Sequence, residues 1–218
     1  MFGQTIYVQW KWNRDFLAFY TLVAFTAPLI ILWVALPHLG LSSARELVRV
    51  GGVVGIAVAV ISVCAGMTVA WQGYGVDERL GHIYALSLPV TRTRALVMRA
   101  TTAFALLTLP AIGVWIGSAL AAGQVVLPAS LHSYAGSLAG RALLAAWLAH
   151  SCMFALLYSA GRRARIVLFT LAIVVGSLGF ATEAVPSARA TIVRTAEFLI
   201  SNPGPFGVFF GRWTLLDV

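Results

Sequence analysis

Five long apolar runs, residues 16–36, 51–71, 95–122, 137–160 and 166–182, dominate this 218-residue chain. A bilayer core about 30 Å thick is crossed by about 20 residues of helix, so each run is long enough or nearly so to span it. In lipid every backbone polar group must be satisfied within the protein, which leaves helices or a closed barrel. The runs are unbroken and show no alternation of period two, so helices are expected. Charged residues make up only 10% of the chain, against about 25% in a soluble domain. The expected fold is an all-α polytopic membrane protein with five clear transmembrane helices. The whole chain, residues 1–218, reads as a single transmembrane domain with no room for a soluble catalytic one.

The boundaries between the runs carry recognisable signals. Residues 1–15 are amphipathic, with Trp10 and Trp12 suited to the headgroup level and Lys11 and Arg14 to water, so an interfacial helix is expected ahead of the first span. Pro37-His38-Leu39-Gly40 ends that span, and Ser43 with Glu46 has the spacing of a capping box for the next. Pro110 predicts a kink in the third span. Gly161-Arg162-Arg163-Ala164-Arg165 is a short basic loop. After residue 183, Arg194, Glu197 and Asn202-Pro203-Gly204-Pro205 interrupt the chain too soon for a sixth span. An amphipathic helix, a turn and a Phe-rich surface segment ending at Trp213 are expected instead. Gly51/Gly55 and Gly136/Gly140 have GxxxG spacing, which fits packing within the bundle and dimerisation equally well. Cys64 and Cys152 fall inside spans and read as buried small hydrophobes.

The net charge of +8 comes from basic residues at span ends, where topology and lipid headgroups account for it without nucleic acid. With the N-terminus inside, the cytoplasmic side collects Lys11, Arg14, Arg79, Arg92, Arg94, Arg162, Arg163 and Arg165, and the opposite side Arg45, Arg49, Arg189, Arg194 and Arg212. This bias sets residues 77–94 in the cytoplasm and the 183–218 tail outside.

Residues 77–94 are the one polar block between closely spaced spans, and charge at membrane depth is costly, so the block is expected in water and in contact with something. Asp77 and Glu78 suit a helix N-terminus. Leu80, Ile83, Tyr84 and Ser87 follow at helical spacing, and Pro89 should end the helix at Leu88. Thr91 can cap the third span. The pattern is a short helix, a Pro turn and a return to the membrane. The Glu78-Arg79-Leu80-Gly81 run followed by Ala85-Leu86-Ser87-Leu88-Pro89-Val90-Thr91-Arg92 resembles the cytoplasmic coupling helix of type 2 ATP-binding-cassette (ABC) transporter permeases. The N-terminal helix also looks like that family's elbow helix.

The resemblance implies a permease that pairs with itself or a similar subunit and docks its coupling helix in a groove on a cytoplasmic ATPase. ATP, the one cofactor implied, would be bound by that partner. Glu78, Gly81, Leu86, Leu88 and Pro89 would form the ATPase contact, with Asp77 able to replace Glu78 as the acidic member. The expected setting is a bacterial cytoplasmic membrane and the expected direction is export. The family has six spans with both termini inside, whereas five are evident here; Asn202-Pro203-Gly204-Pro205-Phe206 resembles the external stretch that precedes the sixth. His82 and Tyr84 also depart from the family's apolar run.

Other chemistry is sparsely represented. The phosphate-cradling G-x-x-x-x-G-K-[ST] motif is absent and Lys11 is the only lysine, so this chain is not itself the ATPase. His150 lies mid-span, where a haem ligand or proton-relay role competes with a neutral imidazole bonded to a neighbouring helix; the latter is expected. His38, His82 and His132 lie in separate loops. Ser118 and Ser137 lack the surroundings of a nucleophile, and the Trp115 and Phe104 face reads as packing. The reading is therefore a non-enzymatic permease subunit. The alternatives are a non-transporting membrane anchor or assembly subunit of a larger complex, and a small enzyme or haem-bearing membrane subunit.

Overall fold

The computed structural model describes residues 2–35, 44–79, 91–125, 131–160, 186–201, 206–209 and 213–217, with isolated positions at 163, 166, 167, 170 and 204. Its elements are α1 (Phe2–Ala35), α2 (Ala44–Arg79), α3 (Arg92–Leu106), α4 (Thr108–Gly123), β1 (His132–Ser133), α5 (Ala135–Ala160), α6 (Pro186–Ile200), a 3-10 turn (Gly207–Phe209) and β2 (Leu216–Asp217). They divide into two compact units, Met1–Phe154 with Arg212–Val218, and Ala155–Gly211.

Among the described residues, four helices are long and apolar enough to cross a membrane: Gly3–Ala35, Arg45–Val76, Thr93–Gly123 and Ala135–Ser159. The protein is an all-α membrane protein. Its outward-facing side chains are large and apolar, among them Phe19, Leu22, Trp33, Ile56, Val60, Trp115 and Leu144, as lipid requires. The expected fifth span, 166–182, lies outside the described residues apart from isolated helical positions.

α1 corrects the expected division into an interfacial helix and a span. It is one unbroken helix of 34 residues, about 50 Å long. No Pro or Gly falls between Gly3 and Pro28, so nothing breaks the ladder near Asp15. Residues 16–35 alone match the hydrocarbon thickness, leaving the N-terminal turns beyond it. Those turns are amphipathic with a polar buried face: Thr5, Gln9 and Asn13 are buried against the bundle, while Tyr7 and Trp10 face outward. The stripe continues into the membrane as Leu17, Ala24 and Leu32, all buried.

α2 runs 36 residues and ends at Arg79, eight residues beyond the expected Trp71. It begins directly after Ser43, the expected cap, which lies outside the described residues. Tyr20 of α1 and Thr68 of α2 share a hydroxyl hydrogen bond of 3.0 Å where the two helices pass. The third span is divided at Leu107, three residues before Pro110. Pro110 has no N–H for the Leu106 carbonyl and its ring crowds that carbonyl, which is the predicted kink.

Close helix crossings rest on glycine. A Cβ on Gly117 would collide with the Phe25 carbonyl of α1, and one on Gly113 would lie 2.8 Å from the Thr21 carbonyl oxygen. Gly66 on α2 meets the Ala146 carbonyl of α5 in the same way. Gly51 and Gly55 serve close packing within the chain, but against the 213–217 segment and not against another helix. A Cβ on Gly55 would strike the Trp213 carbonyl, and one on Gly51 would lie 2.9 Å from the Leu216 nitrogen. Leu215 N–H donates to the Gly51 carbonyl (3.2 Å) and Tyr134 N–H to the Leu215 carbonyl (2.9 Å). β2 pairs antiparallel with β1, matching His132 to Asp217 and Ser133 to Leu216. Leu215 and Leu216 are fully buried with Val54, Val58 and Leu138. The segment after Trp213, beyond the expected surface segment, is thus core. Gly136 and Gly140 meet nothing within 4 Å.

The second unit contains α6, a helix of 15 residues that matches the amphipathic helix expected after residue 183. A turn follows, in which Phe206 N–H donates to the Leu199 carbonyl (3.0 Å).

Candidate functional site

The polar block singled out in the sequence is carried between the last turn of α2 and the first turn of α3. Asp77 and Glu78 lie in the last turn of α2, with Arg79 closing it. The expected separate helix does not start at Asp77: both residues continue α2 as far as it is described. Gly81, Leu86, Leu88 and Pro89 lie outside the described residues, and so does the expected coupling helix. At the far edge of the block, Thr91 is the predicted N-cap of α3. Its backbone is extended (φ −63°, ψ 147°), and its hydroxyl accepts a 3.4 Å hydrogen bond from Arg94 N–H.

Beneath these two helix ends lies a buried polar cluster that the sequence reading missed. Gln9 Nε2 donates to the Arg99 carbonyl of α3 (3.2 Å), and Asn13 Nδ2 donates to the Gln9 carbonyl one turn back (2.9 Å). Asn13 is 1% exposed and Arg99 6% exposed. Gln9 Oε1 and Asn13 Oδ1 have no hydrogen-bond partner among the described residues. Tyr74, one turn before Glu78 on α2, is buried at the same end of the bundle. The cue was present in the sequence: Thr5, Gln9, Asn13 and Leu17 recur every four residues, which marks one helix face. The cluster ties the α1 N-terminus to α3, and so fixes the base from which residues 80–90 emerge.

A second buried polar group lies deep in the bundle. His150 is 2% exposed. Its ring stacks on Phe154 (centroids 5.6 Å apart) and meets Phe104 edge-on (5.7 Å). The Gly66 backbone of α2 is within reach of the ring. Neither ring nitrogen attains well-aligned hydrogen-bond geometry with a described group. Phe104 also packs on Trp147 (5.3 Å), whereas Trp115 points outward, so the two do not share the face expected of them. Cys64 and Cys152 are free and exposed on the outer faces of their helices, which corrects the expectation of burial. Among the described residues no three of His, Cys, Asp and Glu come together as a metal site.

The chain matches no protein-family model, no characterised protein and no solved structure.

Proposed function

We propose that this chain is the transmembrane subunit of a type 2 ABC transporter, an exporter that works as a dimer with two ATPase subunits bound on its cytoplasmic face. The observation that carries the reading is the sequence from Glu78-Arg79-Leu80-Gly81 to Leu86-Ser87-Leu88-Pro89-Val90-Thr91-Arg92, set in the link between the second and third spans. Its supports are consistent with that use. α2 and α3 end on the same side of the bundle as the α1 N-terminus, and the Gln9–Arg99 bond joins two of the three elements there. The 36-residue α2 carries Asp77 and Glu78 at one end without an internal proline, so a displacement applied there is passed along one rigid element.

In this reading Glu78, Gly81, Leu86, Leu88 and Pro89 contact the ATPase, and Asp77 is the alternative acidic member. ATP is bound and hydrolysed by the partner. The N-terminus is cytoplasmic and the membrane is a bacterial inner membrane. The test is co-purification in mild detergent from the native host, followed by mass spectrometry. A stoichiometric nucleotide-binding ATPase is the expected companion. Charge reversal at Glu78, or Leu86→Asp combined with Pro89→Ala, should release it while the spans remain inserted. Retention of the ATPase by both variants would refute the assignment of the contact. A large partner without ATPase motifs would favour the anchor reading.

A further inference from the structure

The outward face of the α1 N-terminal turns is chemically distinct from its buried face. Tyr7, Trp10, Lys11 and Arg14 are spaced i, i+3, i+4 and i+7, which puts them on one stripe opposite Thr5, Gln9 and Asn13. All four are exposed, Tyr7 at 66% and Trp10 at 40%. Residues 16–35 account for about 30 Å of helix, the depth of the hydrocarbon. Lys11 and Arg14 therefore sit within the headgroup layer, and their long side chains can lift the charge toward phosphate. Asp15 lies 3.4 Å from Arg14 Nε, but both side chains are well exposed, and this surface pair leaves the Lys11 charge and most of the guanidinium fork open. The other end of the bundle offers a contrast. Arg45 and Arg49 of α2 are likewise exposed and one turn apart, but Glu46 stands between them and Val53 continues that surface with no aromatic residue.

We infer that the Tyr7–Trp10–Lys11–Arg14 stripe is a binding site for the headgroup of an anionic phospholipid. Two cationic side chains meet the phosphate, and the indole and phenol rings sit beside the glycerol region with their polar edges toward water. The seat is rigid, because the opposite face of the same turns is fastened to α3 by the Gln9–Arg99 bond. This inference does not depend on the transporter reading.

The test is native mass spectrometry of the full chain in mild detergent, offered an equal mixture of phosphatidylglycerol and phosphatidylcholine. The unaltered protein should retain phosphatidylglycerol preferentially. The Lys11→Gln/Arg14→Gln variant should lose about fivefold in that preference for each charge removed. The Arg45→Gln/Arg49→Gln variant, with the same net charge, should keep it. The Lys11→Arg/Arg14→Lys variant should also keep it, which separates lost charge from lost folding. Equal losses in the two Gln variants, no preference in the unaltered protein, or failure of the charge-keeping variant would each overturn the site. Stripping of the lipid by excess inorganic phosphate would overturn the assignment to a phospholipid.

Discussion

Trp147 of α5 donates its indole N–H to the main-chain carbonyl of Phe104, 3.1 Å away, in the last turn of α3 beside the break at Leu107. Carbonyls in a last helical turn lack partners within that helix, and Pro110, which crowds the Leu106 carbonyl, disturbs the ladder just beyond. The indole meets this need from a neighbouring helix while its ring packs on Phe104. Trp147→Phe keeps the ring and loses the donor, so it should lower stability by about 1 kcal/mol. Thermal unfolding in detergent measures this. The loss should shrink in a Pro110→Ala background, where relief at the Leu106 carbonyl lets the helix run on and brings Thr108 N–H to the Phe104 carbonyl; an undiminished loss would mean the bond is unrelated to the break at Leu107.

Gly55→Ala should expel the C-terminal segment, because its methyl group would fall on the Trp213 carbonyl, which is backbone and cannot swing aside. The expected cost is about 1–3 kcal/mol, with faster hydrogen exchange at the Leu215 amide. Gly136→Ala, in open space on α5, should instead be neutral or stabilise by up to about 1 kcal/mol. Similar behaviour of the two variants would contradict the docked position of the tail.

Asn13→Leu should leave stability unchanged or raise it by about 1 kcal/mol. Asn13 Oδ1 is buried with no partner among the described residues, and its amide bonds only to the preceding turn. Removing such an acceptor relieves a desolvation cost. Gln9→Leu should be destabilising by comparison, since it breaks the bond that joins α1 to α3. Chemical denaturation of the two variants side by side decides the order.

His150→Phe should be tolerated in the fold. The imidazole already lies between two phenyl rings without a well-aligned hydrogen bond, and a third phenyl ring supplies similar contacts. An unchanged melting temperature is the expected result. If that stable variant nevertheless lost transport in a reconstituted complex, the imidazole would have a chemical role within the bundle.

The elements that could be read from the sequence are those whose cause is local. The lengths of the apolar runs gave the four described spans, Thr91 gave the α3 cap, and Pro110 gave the break at Leu107. The unbroken α1 is hard to read because composition changes near Asp15 while geometry does not, since no residue there disrupts a helix. The polar face buried at Gln9 and Asn13 depends on Arg99, which is remote in sequence, and on the close approach of α3. The use of Gly51 and Gly55 was undecidable for the same reason: the spacing advertises a flat helix surface but not the partner, and β1 and β2 are only two residues each. Of the six residues proposed for the ATPase contact, only Asp77 and Glu78 fall among those described, and they continue α2 instead of opening the separate helix expected.

The seat of Leu215 and Leu216 also sets an order in time. These residues fill the space between α2 and the start of α5, yet they follow all of those helices along the chain. α1 to α5 must therefore enter the bilayer with that space unfilled and Gly51 and Gly55 uncovered. Completion of the bundle waits until this segment has been made, so until then the nascent chain presents a groove that any quality-control factor able to recognise exposed backbone would find open.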